Sequence, residues 1–222
     1  MESKFQDAKR IQESILSPLE KKTLVFLASH MPGWVNSDHL TVLGFIGMIL
    51  AGVAYWLSRY NKYALILTVV FLGINWFGDS LDGTLARYRG KLRPRYGFYV
   101  DHIVDTFGAL FLLGGLALSG YMHYLIALGL LITYYMFSIE IYLATYCIGQ
   151  FRLSYGVFGP TELRVLLSIG NLVLIFHPMA TILGHQYKLF DVGGICGIAG
   201  MGLLLVFSAI RNTVTLYGQE RI

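Results

Sequence analysis

A chain of 222 residues that is 55% hydrophobic, only 14% charged and of mean hydropathy +0.60 is too apolar for a water-soluble globule or a disordered segment. The formal net charge of +4 is small and follows from membrane topology, and no nucleic-acid motif, internal repeat or low-complexity stretch accompanies it. A single membrane domain over residues 1–222 is the economical organisation.

The first sixteen residues lack the apolar core of a secretory signal, so no cleavage is expected. Phe5, Ala8, Ile11, Ile15 and Leu16 recur at helical spacing among Lys4, Lys9 and Arg10, which predicts an amphipathic helix. Leu19 to Met31 mixes Lys21 and Lys22 with Leu24, Val25, Phe26 and Leu27 in the same manner. Segment 1–36 therefore either lies on the cytoplasmic leaflet or packs as a solvated helix on the domain.

Six apolar runs follow, around 40–58, 63–86, 98–119, 122–147, 161–182 and 192–211, each long enough or nearly so for a ~30 Å hydrocarbon layer. The predicted fold is an all-α polytopic membrane protein: six transmembrane helices over 40–211, preceded by the amphipathic juxtamembrane helix. Ser58 to Lys62, Ser119-Gly120, Gly149 to Pro160, and His177-Pro178 with Gly184 to Asp191 break the runs. With the N terminus inside, fourteen of the seventeen Lys and Arg residues fall on the cytoplasmic side, leaving Arg59, Lys62 and Lys188 outside. The expected location is the cell inner membrane, with the acidic motif of the second and third helices facing the cytoplasm.

That motif reads Asp79-x-x-Asp82-Gly83-x-x-Ala86-Arg87, then Gly97-x-x-x-Asp101-x-x-x-Asp105. At about 100° per residue, Asp79 and Asp82 share one helix face and Asp101 and Asp105 another, so two facing helices would converge four acids. Carboxylates at a bilayer boundary are costly without a cation, and an all-oxygen set suits Mg2+ or Mn2+, two ions being held by shared carboxylates. Gly83 leaves a helix face without bulk, and Arg87 one turn on would take a phosphate oxygen. Arg87, Arg89, Lys91, Arg93 and Arg95 between the two helices either attract a polyanion or simply mark the inner side. The structural alternative for the acids is ion pairing with these Arg residues.

Asp79-Ser80-Leu81-Asp82-Gly83-Thr84-Leu85-Ala86-Arg87 followed by Gly97-Phe98-Tyr99-Val100-Asp101-His102-Ile103-Val104-Asp105 resembles the signature of the CDP-alcohol phosphotransferase family. The resemblance implies transfer of a substituted phosphate from a CDP-linked donor to an alcohol hydroxyl with release of CMP, one substrate being a lipid, by a homodimer. It implies metal ligation by Asp79, Asp82, Asp101 and Asp105, with Asp105 also the base. It further implies CDP binding by Thr41, Asp79, Asp82, Gly83, Ala86, Arg87 and Gly97. The family's Pro-Asn-x-x-Thr start to the first membrane helix reads Ser37-Asp38-His39-Leu40-Thr41 here, so Thr41 matches while Ser37 and Asp38 depart. The Asp-His-x-x-Asp step is similar to the choline and ethanolamine phosphotransferase branch, and His102 rivals Asp105 as base. CDP-diacylglycerol with a small polar alcohol and a CDP-linked head group with diacylglycerol both fit; the first is preferred.

For the acceptor, Glu162, Arg164, Arg152 and His102 are the candidates, with helix capping and inside-positive charge as the plain alternative. Glu140, mid-run, either faces the polar cavity or pairs with another helix. Tyr134, Tyr135, Phe137, Tyr142 and Tyr146 read as packing and interfacial anchoring. Gly44, Gly47 and Gly52, and Gly193, Gly194, Gly197, Gly200 and Gly202, read as close helix contacts. Cys147 and Cys196 read as packing residues. The rival function class is a divalent-cation channel or carrier using the same aspartates.

Overall fold

The computed structural model of the chain describes residues 9–11, 14–152 and 159–221, with backbone alone at 9–11 and 150–152. In chain order these form β1 (Lys9–Ile11), α1 (Ser17–His30), α2 (Ser37–Ser58), α3 (Ala64–Tyr88), α4 (Pro94–Ser119), α5 (Tyr124–Ile148), β2 (Gln150–Arg152), α6 (Pro160–Phe176), β3 (Met179–Ile182), β4 (His185–Lys188) and α7 (Leu189–Gln219). Helices α2, α3, α4, α5 and α7 are long and apolar enough to cross a membrane. α6, with 17 residues, is ~26 Å long at 1.5 Å per residue and completes the six predicted membrane helices.

Local chemistry sets the ends. Asn36 opens α2 by accepting from the His39 N–H at 3.0 Å, while His39 Nδ1 accepts from the Asn36 N–H at 3.3 Å. Pro94 and Pro160 open α4 and α6, where their missing N–H is no loss. Gly120 and Gly149 stop α4 and α5 in the left-handed conformation, at φ 84° and 73°.

Three boundaries differ from the sequence reading. The fifth membrane helix stops at Phe176 instead of 182, because Pro178 disfavours helical backbone at His177 and offers no N–H of its own. Beyond it, β3 and β4 pair antiparallel through Leu183 and Gly184, both at positive φ as a two-residue hairpin turn requires. The helix expected across the first sixteen residues is corrected at Lys9–Ile11, which instead pairs in parallel with Gln150–Arg152. Of the rest of that prediction, residues 1–8 and 12–13 lie outside the described residues, and Ile15 and Leu16 form a turn that leads into α1. α7 runs on to Gln219, with Arg211 and Asn212 inside it.

α2 is the centre of the bundle. A Cβ at Gly47 would stand 2.9 Å from the Asn75 nitrogen and one at Gly44 3.1 Å from the Asp79 nitrogen, so α2 and α3 touch backbone to backbone. On the other flank a Cβ at Gly115 would collide with the Gly52 carbonyl, which brings α4 equally close. Asn75 Nδ2 donates to the Gly44 carbonyl at 3.0 Å and locks the register of α2 against α3. Gly194 and Gly197 of α7 likewise meet Ile126 and Leu130 of α5, whereas Gly193, Gly200 and Gly202 face open space.

The main apolar core gathers Tyr55, Leu65, Leu72, Leu116, Leu174 and Phe190. A second cluster seats α1 on α3, with Leu24 and Ala28 against Leu81 and Leu85. The opposite side of α1 leaves Leu19, Phe26, Lys21 and Lys22 exposed, the composition of a helix lying in a membrane interface. One face of α1 thus packs on the bundle, as the packed-helix alternative expects.

Candidate metal and phosphate site

Asp79 on α3 and Asp101 and Asp105 on α4 each direct one carboxylate oxygen to a common point, the three atoms lying within 4.8 Å of one another. Asp101 and Asp105 reach it from adjacent turns of α4, and the close approach of α2 to both α3 and α4 supplies the third acid. The group is all carboxylate, so its donor set fits a hard divalent cation.

The fourth predicted acid, Asp82, stands outside that trio. Its Oδ2 accepts from Thr41 Oγ1 at 2.6 Å and its Oδ1 from the Gly83 N–H. Ser37 Oγ donates to the Asp82 carbonyl at 3.1 Å. The start of α2 therefore grips the middle of the acidic motif, and Ser37, one of the two unusual residues there, takes part. The other, Asp38, pairs with Arg93.

Arg164, brought in by α6, forms an ion pair with Asp79 through its Nη2, both groups partly buried. Tyr134 and Tyr142 on α5 complete the wall: Tyr134 is an electrostatic neighbour of Asp105 and Arg164, Tyr142 of Asp105 and Asp101, and Ser138 sits between them. Tyr135 fixes α5 at this level by donating to the Thr106 carbonyl at 2.9 Å. The sequence reading left these tyrosines as packing. The signal that finds them is the run Tyr134, Ser138, Tyr142, hydroxyls one turn apart on one face of the helix.

His102 Nδ1 donates to the Phe98 carbonyl at 2.6 Å and stands 3.9 Å from Asp101 Oδ2. Its ring is packed against Phe98 and Tyr142, with centroids 4.1 and 4.5 Å away. Nδ1 thus carries its proton toward a carbonyl and offers no lone pair to substrate.

Gly83 and Gly97 frame an open strip. A Cβ at Gly83 would meet only the Arg87 guanidinium, at 3.7 Å, and one at Gly97 would meet nothing within 4 Å. Ala86 is buried behind them, and Arg87 Nη2 donates to Thr84 Oγ1 at 3.2 Å. The basic connector is partly structural. Arg89 donates to the carbonyls of Val35, Met31 and Pro32, and Arg93 pairs with Asp38 and lies over the Tyr96 ring at 4.2 Å.

The remaining acceptor candidates separate. Glu162 engages backbone with both oxygens: Oε1 accepts from the Leu16 N–H at 2.8 Å and Oε2 from the Gly159 N–H at 3.0 Å, the capping alternative. Arg152 lies in β2, and its side chain is outside the described set. Glu140 pairs with another helix, accepting from Ser208 Oγ at 2.9 Å and Asn212 Nδ2 at 2.7 Å of α7.

Comparison with known proteins agrees with this geometry. A family model described as CDP-alcohol phosphatidyltransferase matches residues 34–206, from the α1–α2 connection into α7. The chain is similar to an archaetidylinositol phosphate synthase of Pyrococcus horikoshii, 29% identical over 165 residues that cover 73% of this chain and 81% of that protein.

Proposed function

The chain belongs to the CDP-alcohol phosphatidyltransferase family, and on that premise we propose that it moves a lipid-bearing phosphate from a CDP-linked lipid to a small polar alcohol, releasing CMP. The observation that carries this reading is the convergence of Asp79, Asp101 and Asp105 beside the Arg164 guanidinium. Asp79, Asp101 and Asp105, with Asp82 alongside, would hold Mg2+ or Mn2+, one ion or two. Bound there, such ions would offset the charge of the diphosphate and of the departing CMP.

The chain's own residues do the rest. Arg87, curled over Gly83, meets the diphosphate where the bare faces of Gly83 and Gly97 let it approach the backbone, and Thr41 orients Asp82. A carboxylate oxygen of Asp105 takes the proton of the acceptor hydroxyl. The hydroxyl oxygen then bonds to the lipid-bearing phosphorus, and the bond from that phosphorus to the CMP oxygen breaks, the electron pair leaving with CMP. A base so placed contributes ~10²–10⁴-fold.

Arg164 orients the acceptor. Asp79 engages one Nη of a planar group that carries five donors. The name of the Pyrococcus relative points to an inositol phosphate as the first acceptor to try, and a guanidinium at this position suits a phosphorylated polyol. The whole chain acts as one domain and a homodimer in the inner membrane. Its site opens to the cytoplasm, where most of the Lys and Arg residues collect. The cation-carrier reading is disfavoured by Arg164 and Arg87, since a permeation path for cations gains nothing from guanidinium groups at its acidic ring.

The test is CMP release by the detergent-solubilised protein from CDP-diacylglycerol or from CDP-linked head groups, against inositol phosphate, glycerol phosphate, serine, inositol and diacylglycerol. Release that requires both a divalent ion and an acceptor is expected. If no CDP compound is consumed or alters thermal stability while Mn2+ alone does, the carrier reading replaces this one.

A further inference from the structure

One carboxylate at the mouth of the site has no part in the reaction just derived. Glu20 belongs to α1, outside the six-helix bundle, yet it is only 8% exposed. Its Oε1 accepts from Trp76 Nε1 at 2.9 Å, from Ser80 Oγ at 3.2 Å and from Thr161 Oγ1 at 2.6 Å. Trp76 is three residues before Asp79, and Ser80 follows it directly. Thr161 is three residues before Arg164, about one turn of α6. One oxygen thus gathers α3 and α6 at the level where Asp79 and Arg164 pair.

A reciprocal strap runs the other way. Glu162 of α6 holds the Leu16 N–H, the residue that leads into α1. Beyond these straps, one and two turns further along α1, Leu24 and Ala28 pack on Leu81 and Leu85, which lie within the acidic motif itself. α1 cannot tilt or lift without moving Ser80 and Thr161, and with them the turns that carry Asp79 and Arg164.

We propose that Glu20 is a positioning residue for the metal site: from the peripheral helix it sets the separation of α3 and α6, so that the Asp79 carboxylate meets those of Asp101 and Asp105. The inference rests on the metal-site reading of these three acids. A mere anchor for α1 would alter stability alone, whereas a positioning residue alters how tightly the trio holds an ion.

The experiment is Mn2+ binding to the detergent-solubilised protein, followed by electron paramagnetic resonance without substrate, beside thermal melting of each variant. Glu20→Ala is expected to weaken Mn2+ binding about tenfold. Glu20→Gln, which keeps the accepting oxygen, should stay within about threefold of the parent. Thr161→Val, a milder change that removes one of the three donors, should weaken binding about threefold and serves where Glu20→Ala does not fold. Phe190→Ala empties part of the main apolar core on α7, which carries neither the acids nor the straps, so it should lower the melting temperature and leave Mn2+ affinity as it was. Parental Mn2+ affinity in both Glu20→Ala and Thr161→Val overturns the assignment. So does an affinity loss in Phe190→Ala equal to that in Glu20→Ala, since the effect is then stability alone. A parent protein that binds no Mn2+ defeats the metal-site reading itself and this inference with it.

Discussion

The two halves of the bundle are built differently. Of the most apolar stretch of each helix, 39% is buried in α2 and α3 and 33% in α4, against 11% in α5 and in α7. In the first half, glycines let backbones touch, and the acids stand on the helices so held. In the second half, α7 is held to α5 by a few side-chain contacts and by the node of Glu140, Ser208 and Asn212, and much of its surface is left to lipid or to another protein. Within a bilayer no hydrophobic force drives helices together, so close packing and internal hydrogen bonds must do it. The closest backbone packing lies where three carboxylates share a point, and the outer helix pair is joined through side chains.

That contrast can be broken or sharpened by mutation. The largest effect is expected at the acids. Asp105→Asn should lower turnover ~10³-fold or more, within the range for loss of a general base, while leaving donor binding largely in place. Asp79→Asn should lose both. Steady-state CMP release and equilibrium binding of the CDP-linked donor read the two apart. If Asp105→Asn keeps activity and His102→Ala loses it, the base has been misassigned.

Next in size is the packing of the first half. Gly115→Leu forces a side chain into the Gly52 carbonyl and should cost ~3 kcal/mol or prevent folding, measured as melting temperature and folded yield in detergent. The polar node of the second half should matter less. Glu140→Leu removes the acceptor of two hydrogen bonds and is expected to destabilise by ~1–2 kcal/mol, with Mn2+ affinity unchanged. A large fall in Mn2+ affinity in that variant would show the halves to be coupled and the contrast to be mistaken. The smallest effect belongs to Gly200→Ala, where nothing lies within 4 Å of the new methyl group, and its melting should shift by less than ~0.5 kcal/mol.

The fold was legible because a bilayer makes sequence rules strict. Apolar runs that cross it must be helices of set length. Legibility failed at the edges. The hairpin of β3 and β4 hides in a run that hydropathy alone continues as helix, and it is Pro178, Leu183 and Gly184 that end it. It failed again for residues whose role depends on a partner far along the chain. Glu162 reads as a substrate contact or a helix cap until Leu16 is seen beside it, and nothing in the spacing of Glu20 points to Trp76, Ser80 and Thr161, its partners in the fold.

By itself, the sequence determined that this is a polytopic helical membrane protein and that four aspartates stand at helical spacing on two of its helices, in a pattern that resembles the CDP-alcohol phosphotransferase signature. Those properties are local: helix periodicity and side-chain charge follow from residues a few positions apart. Tertiary structure alone decided that three of the four acids converge while Asp82 turns to Thr41. It also decided that Arg164 is the cation that meets Asp79, and that α1 is strapped to the site by Glu20. Each of those facts depends on how closely helices distant in sequence approach, and that distance is set by the glycine contacts of α2 with α3 and α4, whose partners no spacing along the chain names.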